Sequence, residues 1–293
     1  MIRARSLVAA LALIAACRPG GPGGGPASRA EMAPQAAVGG TVYEVYAVRY
    51  GTLPSFAVRS LVAGADSARR MDVALAVWLL RGGGRTVLVD AGFYRDKFIR
   101  RWTPTDYVRP SEAISALGLK PEDVTDVVVT HIHWDHLDGL DLFPKARVWI
   151  QRAEYEYYVG EGGAVRNAGI DPEDATMLAA LHAAGRVMLV DGDAREILPG
   201  ITAYTGGRHT FASQYVGART RAGVVVLASD NAYLYENLER GVAIAQTFSA
   251  EENLAAQARM TTIATSPRLI VPGHDPAVFE RFPAAAARAA RID

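Results

Sequence analysis

A layered α/β domain with mixed sheets is the fold class this chain predicts, on three observations. Apolar runs of strand length, some alternating and some continuous, recur between residues 41 and 272. Helical stretches with start and stop signals fall among them, without a strict strand–helix–strand rhythm. A Gly/Pro-rich segment lies ahead of residue 41, and neither a second linker nor an internal repeat follows it.

Each element has its own signal. "TVYEVYAVRYG" (41–51) alternates as a strand, and "DVALAVWLLRGGGRTVLVDAG" (72–92) reads as a hairpin across Gly82 to Gly84. "RPSEAISALGL" opens a helix with Pro110 in its first turn and stops it at Gly118. "DVVVT" (126–130) is a β-branched run suited to a strand covered on both faces. "ARVWIQ" is a further strand, "RAEYEYYV" a helix, and 172–184 a helix ending at Gly185. Strands are expected at 187–190, 201–205, 214–218 and 223–229. In "SAEENLAAQARMTTIA", Ser249 and Glu252 form a capping signature for a long helix. "RLIVP" is the last expected strand, and the Ala-rich tail from Pro283 is expected to be helical.

The chain has 293 residues, enough for a sizeable core, with 31 basic residues against 31 acidic. That balance argues against a nucleic-acid binder, which needs a basic excess. "MIRAR" followed by the apolar "SLVAALALIAA" and Cys17 reads as an export signal, too short to span a bilayer as a helix. "IAAC" resembles a bacterial lipobox, so residues 1–17 are expected to end in a lipidated cysteine; ordinary cleavage nearby is the alternative. Residues 18–40 read as a disordered tether spanning roughly 25 Å. The expected location is the bacterial cell envelope, with the lipid anchor as the sole membrane contact and residues 41–293 as the folded domain. Cys17 is the chain's one cysteine, so no intramolecular disulfide can form and the domain has no thiolate for a metal.

"THIHWDHLDGL" (130–140) holds three of the chain's six histidines. His131 and His133 are two apart in an extended segment, so their rings emerge on one side. Asp135 and His136 follow where a short helix should begin, surrounding a small volume with imidazole and carboxylate, donors that suit Zn²⁺ or Mn²⁺, Fe or Co²⁺. Four other polar residues also follow strands: Asp90 after "TVLV", His209 after "ITAYT", Asp230 after "VVVLAS" and His274 after "RLIVPG". Sites in open α/β sheets lie beyond the carboxyl ends of strands, where these residues could converge. His182, midway along a helix, reads as an ordinary surface or boundary residue.

His131-X-His133-X-Asp135-His136, with His209, Asp230 and His274, resembles the metallo-β-lactamase superfamily across residues 41–280. The resemblance implies an αββα sandwich, two mixed sheets face to face with helices outside. It implies two metal ions, one on His131, His133 and His209, a second on Asp135, His136 and His274, and Asp230 bridging them. Asp90 would hold the loops of the site. A hydroxide between two such ions is a nucleophile at neutral pH, and a metal polarises the carbonyl under attack. Asp135 could also orient the nucleophile or accept its proton. The chain departs from the family pattern at Asp138-Gly139, where two glycines are usual; Asp138 is either a carboxylate close to the metals or a surface turn residue. It also lacks a proline soon after His209.

Within the superfamily, a β-lactamase is disfavoured by the donor set, a nuclease by neutral charge, and a glutathione-thioester hydrolase by the lack of clustered basic residues. The chain is most similar to the N-acyl homoserine lactonases, which carry a tyrosine three positions after the bridging aspartate, as Tyr233 stands here. Its phenol could donate to a substrate oxygen, or simply pack in the core. Trp134 and Phe93 could line an acyl pocket or serve packing alone. A small lactone or ester substrate is expected; an organophosphate triesterase and a non-catalytic metal-binding surface protein are the alternatives.

Overall fold

The computed structural model describes residues 40–293, so the expected signal and all but Gly40 of the expected tether lie outside the described residues. Among the described residues, two sheets are built from thirteen strands. The first contains β1 (Glu44–Ala57), β2 (Arg70–Gly82), β3 (Arg85–Val89), β4 (Asp126–Val128), β5 (Arg147–Gln151) and β6 (Val187–Val190). The second contains β7 (Arg195–Leu198), β8 (Ile201–Thr205), β9 (Gln214–Thr220), β10 (Gly223–Ser229) and β11 (Ile270–Pro272). The chain then returns to the first sheet with β12 (Ala284–Ala286) and β13 (Ala289–Arg291), giving the order β12-β13-β1-β2-β3-β4-β5-β6 beside β11-β10-β9-β8-β7. Both sheets are mixed: β3 to β6 run parallel, as do β10 and β11, and the remaining pairs are antiparallel.

Alternation of side chains along the strands decides what lies on each face. Val45, Ala47, Trp78, Leu80, Val87 and Val89 of the first sheet pack with Ile201, Val216, Val225, Leu227 and Val271 of the second. The opposite face of the first sheet, with Val48, Leu79, Leu88, Val127, Val148 and Ile150, is covered by helices. These are α1 (Asp96–Trp102), α2 (Pro110–Ala113), the one-turn α3 (Trp134–Leu137), α4 (Arg152–Tyr158) and α5 (Pro172–Ala183). After α6 (Tyr235–Arg240), α7 (Ala250–Ile263) lays Ala256 and Met260 on Tyr215, Val226 and Ala228 of the second sheet's outer face, and α8 (Val278–Arg281) follows β11. The result is the αββα sandwich implied by the resemblance.

The β2–β3 hairpin turns at Gly83-Gly84, both at positive φ, a pair that matches strand twist. Ser249 caps α7 by accepting from the Glu252 N–H at 3.2 Å. The tail corrects the sequence expectation: in place of an Ala-rich helix it forms β12 and β13, with Ala289, Ala290 and Arg291 paired to Val48, Ala47 and Tyr46 of β1. Alanine is the strongest helix former, but so short an isolated helix is marginal even when Ala-rich. Pairing satisfies the exposed edge of β1 instead. α1 carries no start signal in the sequence, since no side chain caps it at Arg95; it is held by burial of Phe98 and by Trp102 stacked on Trp134 at 5.3 Å.

Candidate metal centre

All five polar residues expected at strand ends stand there: Asp90 after β3, His131 beyond β4, His209 beyond β8, Asp230 after β10 and His274 beyond β11. Backbone hydrogen bonds lock these loops together. Ala91 N–H donates to His136 O at 2.8 Å, Gln214 N–H to Thr130 O at 2.8 Å, and His274 N–H to Tyr233 O at 2.9 Å. Gly139 donates to Gly92 O at 2.8 Å, and a Cβ at Gly139 would meet Ala91 O at 2.2 Å, so only glycine lets α3 approach β3 this closely.

The side chains converge as two groups around Asp230. His131, His133, His209 and Asp230 form one, and Asp135, His136 and His274 the other, each with donor atoms within 4.8 Å of one another. Asp230 Oδ2 lies 3.6 Å from His131 Nε2 and 3.3 Å from His209 Nε2. Its Oδ1 lies 3.4 Å from His136 Nε2 and 3.1 Å from His274 Nε2. One carboxylate therefore faces both groups. Asp135 Oδ2 closes the second group, 3.6 Å from His136 Nε2 and 3.7 Å from His274 Nε2.

Hydrogen bonds behind the rings decide which nitrogen faces the centre. His209 Nδ1 donates to Gln246 O at 2.7 Å and His274 Nδ1 to Ala74 O at 2.9 Å, since a carbonyl can only accept. His136 Nδ1 donates to Asp90 Oδ2 at 2.7 Å. Thr130 gives its hydroxyl proton to the same carboxylate at 2.9 Å, so it accepts from His131 Nδ1 at 3.0 Å. In the neutral rings the inward nitrogens of His131, His136, His209 and His274 are thus lone pairs. Asp90 orients two of them and also accepts the Thr130 N–H at 2.8 Å, holding the loops as expected, from a left-handed φ of 64°.

Lone pairs this close call for a cation. His133 Nδ1 lies 3.1 Å from His131 Nε2 and 2.9 Å from His209 Nε2, and one imidazole proton could serve only one of them. His136 Nε2 and Asp230 Oδ1 are buried with no hydrogen-bond partner among the described residues. Burial, aided by neighbouring histidines, holds His131 well below the usual imidazole range and His133 down to about 3, so both stay neutral. Burial also opposes charge on His136 and His274, yet carboxylates around them, Asp230 foremost, hold both above that range. The histidines in turn keep Asp230 ionised against burial. The donor set fits divalent metal.

Above the groups is a cavity of ≈ 160 Å³, lined by Leu53, Phe56, Leu61, Val73, Trp102 and Trp134 and floored by His133, Asp135, Asp230, Tyr233 and His274. Among the described residues, its wall carries no Lys or Arg. Trp134 lines it, whereas Phe93 is buried behind Trp134 at 4.6 Å and serves packing. The Tyr233 hydroxyl sits 3.3 Å from His209 Nδ1, and its pKa is raised by burial and by Asp230 and Asp135.

Asp138 is not a surface turn residue. It is fully buried, accepting from Tyr94 N–H at 2.7 Å and Arg95 N–H at 3.0 Å and pairing with the Arg95 guanidinium. It braces α3 against α1. His182 is exposed beside Tyr155. Unforeseen from the sequence were Asn231, which accepts the Gly207 N–H at 2.6 Å and so ties the His209 loop to β10, and Glu154. Burial pushes the Glu154 carboxyl up to about 7, against the pull of its hydrogen bonds.

Comparison with known proteins agrees with this architecture. A family model for the metallo-beta-lactamase superfamily matches residues 73–274. An N-acyl homoserine lactonase of Bacillus cereus is 27% identical over 190 residues, covering 64% of this chain and 70% of that protein. Another from a Bacillus species is 26% identical over 222 residues, covering 70% and 82%. The solved structure of a quorum-quenching N-acyl homoserine lactone lactonase superposes with a TM-score of 0.69 at 21% identity, covering 83% of this chain and 97% of that one. By the extent of the family match and the agreement in fold, the chain is a metal-dependent hydrolase of the metallo-β-lactamase superfamily.

Proposed function

We propose that the protein opens lactones, N-acyl homoserine lactones foremost, with two divalent ions, Zn²⁺ by preference, held by His131, His133, His209, Asp135, His136 and His274 and shared by Asp230. The observation that carries this reading is the seven-donor centre, four of whose residues (His133, Asp135, Asp230 and His274) floor a largely apolar cavity with no basic side chain in its lining. The ions would supply Lewis acidity and a bound water acidic enough to lose its proton near neutral pH.

The chain's own residues divide the remaining work. Asp135 borders the cavity and is the carboxylate placed to take or direct a proton there. Tyr233 is placed to donate. Because His209 Nδ1 commits its proton to Gln246 O, the phenol cannot donate to that nitrogen, and its own proton is left for a substrate oxygen. Leu53, Phe56, Leu61, Val73, Trp102 and Trp134 exclude water and accept an acyl chain. The absence of basic side chains from that wall favours a neutral substrate over an anionic thioester. Support also comes from the curated relatives, which are N-acyl homoserine lactonases. A turnover assay on acyl homoserine lactones, simple lactones and paraoxon-type triesters, with Zn²⁺ restored after chelation, tests the proposal. Turnover confined to the triesters would overturn it.

A further inference from the structure

Glu154 on α4 is wholly buried, and no Lys or Arg ion-pairs with it among the described residues. A buried carboxylate without a cationic partner is costly, so its hydrogen bonds must account for it. They are specific. Oε1 accepts the Ile132 N–H at 3.2 Å and the Thr210 hydroxyl at 2.5 Å, and Oε2 accepts the Ala212 N–H at 2.6 Å. Ile132 lies between His131 and His133, and Thr210 and Ala212 follow His209. One carboxylate thus joins the two loops that bring the three histidines of one group together.

We infer that Glu154 is a positioning residue for the ion at His131, His133 and His209, fixing both loops before metal arrives. The inference rests on the proposed metal centre. The requirement is for two acceptor oxygens. In Glu154→Gln, whichever way the amide is turned, either the Ile132 or the Ala212 N–H meets an NH₂ group and is left unpaired in the interior. The three histidines then lose their preset spacing. The group of Asp135, His136 and His274 is braced elsewhere, by Asp90 and Ala74 O, and does not depend on Glu154.

The test is zinc binding by the full chain, with chelator competition for affinity and anomalous diffraction for the occupancy of each position. Glu154→Gln is expected to weaken the ion at His131, His133 and His209 by roughly tenfold to a hundredfold, the range for groups that orient metal ligands, and the other ion by less than about threefold. At saturating Zn²⁺, KM should stay at the wild-type value. If Glu154→Gln does not fold, Thr210→Val takes its place: it keeps the carboxylate, removes one of three bonds, and should weaken the same ion selectively. Both ions held as in wild type would overturn the inference, and so would equal weakening of both with a lowered melting temperature of the metal-free chain. Wild type that binds no zinc would instead overturn the metal centre itself.

Discussion

Asp230→Asn removes one charge from a site where four imidazoles converge. The Asp230 oxygens stand 3.1, 3.3, 3.4 and 3.6 Å from the inward nitrogens of His274, His209, His136 and His131. Asparagine keeps the shape and one acceptor, but its NH₂ must face one histidine pair, where a metal would need a lone pair. The residue is only 4% exposed, so solvent cannot compensate. Removing one partner of a buried charge pair costs about 3–5 kcal/mol. At 1.36 kcal/mol per decade that is roughly two to four decades in affinity for at least one ion. Titration of the metal-free variant with Zn²⁺ against a chelator should show this loss, and kcat at moderate Zn²⁺ should fall by about a hundredfold or more. A circular-dichroism melt of the metal-free form controls for folding. Two tightly held ions, with kcat within about threefold of wild type, would refute the bridging role.

Tyr233→Phe should keep both ions and lose about tenfold to a hundredfold in kcat, because one donor beside a Lewis acid contributes less than an oxyanion donor acting alone; wild-type kinetics on every lactone would remove Tyr233 from the mechanism. Metal binding should release protons. His136 and His274 are held above the usual imidazole range, so at pH 6.5 the metal-free chain carries protons there that an ion at Asp135, His136 and His274 displaces. That ion's affinity should therefore rise with pH, with about one to two protons released by calorimetry in buffers of different ionisation enthalpy; none released would contradict the assignment. Cys17→Ser should move the protein from the membrane to the soluble fraction with activity intact, whereas a wild type already soluble would exclude lipidation.

The centre was legible in the sequence because metal chemistry restricts residue type and spacing. His131, His133, Asp135 and His136 are crowded into one turn, and His209, Asp230 and His274 each follow an apolar strand. What braces the site was hidden. Glu154 and Asn231 act through backbone groups remote in sequence, and Gln246 and Ala74 contribute only carbonyls, which no side-chain pattern reveals. The burial of Asp138 was hidden because its partner, Arg95, is 43 residues away. The Ala-rich tail differs from its pattern for a related reason: its local preference is helical, and β1 overrides it by offering a free edge.

The central claim is that two ions, held by seven side chains of one chain, are needed for turnover. Activity against Zn²⁺ added to the metal-free protein, with bound metal counted by elemental analysis, tests it most directly. Lactone hydrolysis should reach its maximum only as the second ion per chain binds, and chelation should abolish it. Full activity with one tightly bound ion per chain would contradict the account.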